Sequence, residues 1–182
     1  MCTPLGHSLV GYSIYRNQHV LQSRTPWMMF FQVVLISILP DIDFVFGTMV
    51  GNPNRYHHLW THSLAFVLLV GGLYGLGYTL LKRKNGFKAG GVVSGIVLSH
   101  IILDFFSRDT REPCGMPLFW PIHNGFYHAP VTIFLDVSKA SSNSAFLGSL
   151  FSLHNLRTVL MEVVVLSPLL IWMFLKNKRG VK

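Results

Sequence analysis

Residues 27–44 read WMMFFQVVLISILPDIDF, an apolar run that ends in two carboxylates. From Trp27 to Leu39 the only polar residues are Gln32 and Ser37, and Asp41 and Asp43 follow directly after Pro40. The whole chain of 182 residues holds only seven acidic residues. Two of these at the end of an apolar helix indicate that they face a positive charge.

The composition is that of a membrane protein. Of the residues, 51% are hydrophobic and 12% are charged, whereas an ordinary soluble domain carries about twice that share of charged residues. No linker, internal repeat or low-complexity tract divides the chain. We therefore predict a single membrane-embedded domain over residues 1–182.

Further apolar stretches extend this prediction along the chain. Residues 63–81 and 156–175 are nearly long enough to cross a bilayer, which takes about 20 residues, whereas 27–39 and 89–103 are short. The short stretches can cross only if their polar ends sink into the membrane. Residues 5–18 fit a further short helix. The predicted fold is an all-α, polytopic bundle of four to five helices.

Basic residues predict the orientation of the bundle, because short cytoplasmic loops retain Lys and Arg. One basic group follows the stretch at 63–81 and another follows the stretch at 156–175: Lys82, Arg83, Lys84 and Lys88, then Lys176, Lys178, Arg179 and Lys182. We also expect Arg16 and Arg24 on the cytoplasmic side. Asp41 and Asp43 then lie at the non-cytoplasmic face of a multi-pass protein of the cytoplasmic, or inner, membrane.

The formal net charge of +8 is mostly explained by these flanking residues. It therefore predicts attraction to membrane lipids. A nucleic-acid-binding surface would interleave aromatic with basic residues or carry a known reading motif. The chain shows neither, so we expect no direct binding to nucleic acid.

Three other segments bring possible metal ligands to the same face. The segment SHIILD places His100 and Asp104 four residues apart, one above the other on a helix. The segment HHLWTHSL supplies His57, His58 and His62 before an apolar run, with Thr61 or Ser63 as a helix cap. His7 also precedes apolar residues. Imidazoles and carboxylates together suit Zn²⁺ or a similar divalent ion.

The spacing of the two aspartates adds a structural expectation. Pro40 disfavours helical geometry at Leu39, so we expect a break there. On an extended segment Asp41 and Asp43 would point to the same side. Each motif alone also has a structural explanation, such as a helix cap, an interfacial histidine or a buried pair. Their shared position at one predicted membrane face favours a metal site.

These motifs resemble the membrane-bound metal-dependent hydrolase family that includes the LexA-binding, inner-membrane-associated hydrolases of bacteria. The resemblance rests on five segments in order: GHSL at 6–9, LPDID at 39–43, HHLWTHSL at 57–64, SHIILD at 99–104 and GMPLFWP at 115–121. It ends near residue 121. One departure is His58, which stands where the family pattern has Arg, so either His57 or His58 could face the metal.

The resemblance implies a helical bundle with a divalent-metal site, distantly similar to zinc-dependent phospholipase C. The ligands that it implies are His7, Asp41, Asp43, His57, His62, His100 and Asp104. This number of ligands suits one to three ions, most simply Zn²⁺. The implied activity is hydrolysis of a phosphoester or another ester.

A carboxylate that does not bind metal could serve as general base, and we predict Asp43 first and Glu162 second. We expect a substrate close to the membrane, such as a lipid ester or a small-molecule ester. Two other function classes stay open from the sequence. One is a non-catalytic membrane scaffold that holds a metal, and the other is an ion or solute transporter.

Overall fold

The computed structural model describes residues 1–18, 20–21, 25–82, 84–110 and 112–179. It is all-helical in this part, which confirms the predicted fold class. The seven α-helices are α1 (Pro4–Arg16), α2 (Pro26–Ser37), α3 (Asp43–Met49), α4 (Leu64–Lys82), α5 (Gly86–Phe105), α6 (Asn143–Leu150) and α7 (Leu153–Arg179). Five of them match the predicted stretches, and the short helices α3 and α6 add to the predicted four to five.

Three helices are long and apolar enough to cross a membrane: 64–81, 86–105 and 153–173. Helix α2 and residues 39–49 together could form a fourth, broken span that bends by 68°. Of the apolar windows, 61% of that in α5 is buried, against 22% in α4 and 17% in α7. Helix α5 is therefore the centre of the bundle, and the helices around it present their apolar residues outward.

Small residues let α4 and α5 pack closely as an antiparallel pair. A Cβ atom placed on Gly90 would lie only 2.5 Å from the carbonyl oxygen of Gly71, and one on Gly75 would lie 2.8 Å from that of Gly86. Such contacts are typical of membrane helices, whose association depends on close van der Waals packing.

Neighbouring contacts fix the direction of the other long helices. Near its start α1 meets α7, where Gly6 lies beside Glu162, and near its end the Nζ of Lys176 donates a hydrogen bond of 2.8 Å to Asn17. These two helices are therefore parallel. Helix α2 returns toward the start of α1, because Gly11 of α1 packs against Ser37 at the end of α2.

This topology separates the charges along the bundle. Four basic residues lie at the end of the bundle where α1, α4 and α7 end and α5 begins: Arg16, Lys84, Lys88 and Lys176. The opposite end holds Asp41, His62 and Asp104. Arg24, Arg83 and Lys182 fall outside the described residues. The two predicted groups of polar residues thus lie at opposite ends of the bundle.

Candidate metal centre

Eight side chains meet at the end of the bundle where α1 and α4 begin and α2 and α5 end. They form what we call the His/Asp cluster: His7, Asp41, Asp43, His57, His58, His62, His100 and Asp104. All seven predicted ligands belong to it, and His58 is the eighth member. His7, His62 and His100 have no exposed surface.

Asp41 and Asp43 reach the cluster from a tight turn. Residues Leu39–Ile42 form a 3₁₀ helix, and α3 begins at Asp43. The predicted break after α2 is confirmed, but the predicted extended segment is wrong. Both carboxylates nevertheless face His57, whose Nδ1 lies 3.8 Å from Asp41 Oδ1 and 3.1 Å from Asp43 Oδ1.

His62 and the His100–Asp104 pair come from facing helix ends. His62 closes a 3₁₀ turn just before α4, where the hydroxyl of Ser63 accepts a hydrogen bond from the Phe66 amide and caps the helix. His100 and Asp104 lie one turn apart near the end of α5, and His100 Nε2 is 3.2 Å from Asp104 Oδ2. The predicted helix cap and the predicted pairing are both confirmed.

Four of these residues form a compact group that we call the central tetrad: Asp41, His62, His100 and Asp104. One ligand atom from each lies within 4.8 Å of the other three. The distances from His62 Nε2 and His100 Nε2 to the two carboxylates and to each other are between 3.2 and 3.8 Å. A regular tetrahedron with metal–ligand distances of about 2.0–2.2 Å has edges of about 3.3–3.6 Å. Five of the six distances in the tetrad are therefore close to the edges of a tetrahedral zinc site.

The histidines are oriented as metal ligands are in proteins. His100 Nδ1 donates a hydrogen bond of 2.7 Å to the carbonyl oxygen of Ser37. A carbonyl oxygen can only accept, so Nδ1 carries the proton and Nε2 presents its lone pair to the tetrad. His62 is held similarly, because its Nδ1 lies 3.3 Å from Asp43 Oδ2. Such outer partners fix the tautomer and orientation of ligating histidines.

The same pattern extends to the two adjacent histidines. His57 Nδ1 hydrogen bonds with Asp43 Oδ1 at 3.1 Å, and His58 Nδ1 with Asp109 Oδ2 at 3.3 Å. In both rings Nε2 is buried and has no hydrogen-bond partner among the described residues. The structure brings both His57 and His58 into the cluster, so it does not choose between them as the ligand. The backbone of His58 has a positive φ of 63°, a left-handed conformation that is uncommon for a non-glycine residue.

Several other buried atoms of the cluster also lack hydrogen-bond partners within the described chain. They include Asp41 Oδ1, Asp104 Oδ2 and both ring nitrogens of His7. Burying polar atoms without partners is unfavourable, and native structures contain few of them. A divalent cation among these oxygen and nitrogen atoms would satisfy them, so the residues present fit a metal ion.

His7 contacts the carboxylate oxygen of Asp104 that does not face the central tetrad. Its Nε2 is 3.3 Å from Asp104 Oδ1, and its ring stacks on that of His100 with centroids 3.6 Å apart. Asp104 Oδ1 also accepts a hydrogen bond of 2.6 Å from the Cys2 amide. Asp104 thus connects α1 to the central tetrad through one oxygen and faces the tetrad with the other.

The two predicted general bases have different surroundings. Asp43 is buried and already contacts His57 and His62, and its Oδ2 also accepts hydrogen bonds from the Thr61 hydroxyl and the His58 amide. Glu162 accepts hydrogen bonds from the amide and the hydroxyl of Thr3 at the start of α1. Both carboxylates hold other parts of the site in place, and their catalytic roles stay predictions.

The electrostatics differ between two histidines that lie outside the apolar helices. Burial and the neighbouring His58 hold the pKa of His57 well below its usual value. Burial also works against a charge on His62, but hydrogen bonds with Asp104 and Asp43 raise its pKa to about 9. The carboxylates of the cluster therefore favour a positive charge at His62, in the same place where a metal cation would lie.

A cavity of about 290 Å³ lies beside the cluster, and His57, His58 and Asp109 form part of its wall. Its other lining residues come mainly from the connection between α5 and α6, which has no helix of its own. Helices α5 and α4 hold this connection, because the carbonyl oxygen of Phe105 accepts a hydrogen bond from the amide of Ala129 and the amide of Leu64 donates to Leu118. The cavity gives the cluster space for a small ligand.

Asp109 is the functional side chain that the sequence analysis missed. It lies five residues after Asp104, beyond the helical spacing that identified His100 and Asp104. The small number of acidic residues was the sequence signal that could have identified Asp109. All seven, namely Asp41, Asp43, Asp104, Asp109, Glu112, Asp136 and Glu162, lie in the cluster, on the cavity wall or beside Thr3.

Comparison with known proteins gives a match to a family model. The model of a family described as YdjM inner membrane protein matches residues 1–180. No curated protein and no solved structure matches the chain. The family match supports the predicted inner-membrane location, and the resemblance to metal-dependent hydrolases stays a prediction.

Proposed function

We propose that this chain, which belongs to the YdjM inner membrane protein family, is a membrane-bound metal-dependent hydrolase. The His/Asp cluster would hold one to three divalent ions, most simply Zn²⁺. The substrate would be an ester that lies close to the membrane surface, either a lipid or a small molecule.

A single observation carries this proposal. Four histidines have their Nδ1 atoms held by oxygen atoms, and the Nε2 atoms of two of them complete a group of tetrahedral dimensions with two aspartates. A divalent ion in such a site supplies Lewis acidity that activates water and polarises an ester oxygen. The adjacent cavity would admit the substrate to the same point.

We assign roles to the chain's own residues from these contacts. Asp41, His62, His100 and Asp104 are the principal ligands, and His7, His57 and His58 are available for further ions. Asp43 holds His57 and His62 in the orientation that presents their Nε2 atoms. A general base is still required, and Asp43 and Glu162 remain the candidates that the sequence predicted.

The alternative functions fit the structure less well. A metal that served only stability would suit a closed site, whereas His57 and His58 form part of a cavity wall. A transporter would need polar residues along its path across the membrane. In the described helices most ionisable residues gather at the two ends of the bundle, and Glu162 in the span of α7 is an exception.

Metal analysis combined with an assay for ester hydrolysis tests the proposed function. We expect detergent-purified protein to contain at least one zinc or similar ion per chain. We further expect it to hydrolyse 4-nitrophenyl esters, to lose this activity with a chelator and to regain it with added Zn²⁺. Metal-loaded protein without activity on a broad ester panel would favour the scaffold, and metal-free protein that stays inactive with Zn²⁺ would contradict the metal site.

Cys114 offers a direct test of the proposed orientation. It is exposed, and the next residue, Gly115, donates an amide hydrogen bond to Asp109 beside the cavity. We expect a membrane-impermeant maleimide to label Cys114 from the non-cytoplasmic side of right-side-out spheroplasts. Lys84→Cys in a Cys114→Ser background is the control and should be labelled only after lysis. The reverse pattern would place the cluster on the cytoplasmic side.

A further inference from the structure

We propose that Arg55, Arg108 and Lys139 bind the anionic group of the substrate, which makes this substrate a phosphoester. This inference rests on the proposed function, since it assigns a substrate class to the same site. All three cations line the cavity beside His57 and His58. None of them belongs to the motifs on which the hydrolase resemblance rests.

Lys139 is the innermost of the three cations. Its side chain is only 8% exposed, and its Nζ lies 4.7 Å from the centre of the Phe44 ring. That ring in turn stacks on His57 with centroids 4.2 Å apart. Lys139 is therefore buried, and the Phe44 ring lies between its ammonium group and the candidate ligand His57.

Arg55 and Arg108 extend this positive charge toward the cavity mouth. Both side chains are exposed, and neither guanidinium forms an ion pair with a carboxylate of the described residues. The guanidinium of Arg55 lies over the ring of Tyr56, 5.6 Å from its centroid, which limits where it can point. Arginine forks match the oxygen atoms of phosphate in geometry and charge.

The cavity wall also contains three carboxylates, so its net charge does not decide whether the cavity binds an anion. Asp109 is engaged by the His58 ring and the Gly115 amide, and Asp136 is paired with His154 at 3.3 Å. Glu112 is exposed. Two of the three carboxylates thus contact polar groups of the protein. In contrast, neither arginine guanidinium has a carboxylate partner among the described residues. The charge that is available to a ligand is positive.

The cavity size agrees with a phosphate-containing group. A volume of about 290 Å³ is at the lower limit of small-molecule sites and would hold a headgroup but not a whole lipid. An apolar groove of about 680 Å³ shares Val137 with the cavity and is lined by leucines such as Leu5, Leu153 and Leu156. The phosphoester could therefore belong to a lipid or to a soluble molecule, and the experiment separates the two sources.

The test compares Arg55→Gln/Arg108→Gln with the wild type in detergent, both loaded with metal. Calorimetric titration with inorganic phosphate should show the dissociation constant raised at least about tenfold in the variant, because charge-assisted hydrogen bonds are lost. The KM for bis(4-nitrophenyl) phosphate should rise by a similar factor. Hydrolysis of the neutral 4-nitrophenyl acetate should fall much less than hydrolysis of the diester, and the metal content should stay unchanged.

Matched controls separate this effect from general surface charge and from misfolding. Arg157→Gln removes an exposed arginine of α7 that does not line the cavity, and it should bind phosphate like the wild type. Lys139→Gln should also weaken phosphate binding, and Lys139→Arg should restore it. Activity on phosphatidylglycerol in mixed micelles or on the soluble diester identifies the source, and activity on either supports the proposal.

The outcomes for the two proposals can be told apart. Unchanged phosphate affinity in the double variant would overturn the anion site, even if neutral esters were hydrolysed. Phosphate binding that depends on these arginines, without hydrolysis of any ester, would support the anion site and contradict the proposed hydrolase.

Discussion

Asp104→Asn should remove stable metal binding while the helical bundle stays folded. Asparagine keeps the side-chain volume and can still accept the Cys2 amide hydrogen bond. It removes the negative charge that faces three histidines, whose Nε2 atoms lie 3.2–3.7 Å from Asp104 Oδ2. Loss of an outer partner lowers metal affinity about 10- to 100-fold, so loss of this ligand should lower it more than about 100-fold. Bound metal per chain is the measurement.

Thermal unfolding in detergent and a matched variant complete this test. Asp136→Asn is the same substitution at a carboxylate of the cavity wall, where Asp136 pairs with the half-exposed His154. It should leave the metal content unchanged. If Asp104→Asn kept its full metal content and only lowered the unfolding temperature, then Asp104 would be a structural partner of His100, and the central tetrad would not be a metal site.

The sequence could predict that the side chains of the site lie at one end of the bundle, because successive long helices run in alternating directions. Each long apolar helix crosses the bundle once, so the end of α2, the start of α4 and the end of α5 must share one face. The basic residues at the opposite ends of these helices independently predicted the same shared face. Asp41, His62 and His100 could therefore be assigned to a common face without any knowledge of their contacts.

The short helices α3 and α6 were not predictable in this way. Each has seven or eight residues, and isolated helices of this length are marginal without tertiary packing. Residues Asp43–Met49 are stabilised by the turn that precedes them, and a Cβ atom on Gly47 would lie 2.3 Å from the carbonyl oxygen of Pro53. Neither hydrophobic periodicity nor length signals such context-dependent helices.

Individual roles within the cluster depend on backbone angles that the sequence pattern does not contain. The 3₁₀ turn at Leu39–Ile42 sends Asp41 to the central tetrad and Asp43 to the outer side of His57 and His62. The positive φ of His58 brings a second ring from the HH pair into the cluster. Asp109 depends on the connection after α5, which has no periodicity. Sequence patterns thus identified the members of the site but not the division between ligands and supporting groups.

Asp43→Asn separates a supporting role from a catalytic one. In the structure Asp43 Oδ1 lies 3.1 Å from His57 Nδ1, and Asp43 Oδ2 lies 3.3 Å from His62 Nδ1. An asparagine offers one acceptor oxygen and one amide group that can only donate. One histidine would then have to accept at Nδ1 and carry its proton on Nε2, where the metal lone pair is needed. We expect metal affinity to fall about 10- to 100-fold.

The decisive measurement is the rate of ester hydrolysis at saturating metal, after titration of Zn²⁺ into wild-type and Asp43→Asn protein. If Asp43 only orients His57 and His62, excess metal selects the productive tautomer, and the rate should recover to within about tenfold of the wild type. If Asp43 is the general base, the rate should stay at least about 100-fold lower at full occupancy, since general-base catalysis contributes at least that much. Its pH profile should then also lose the limb that reports ionisation of the base. The contacts of Asp43 favour recovery, because a carboxylate that already holds two imidazoles, a hydroxyl and an amide has little capacity left to take a proton from water.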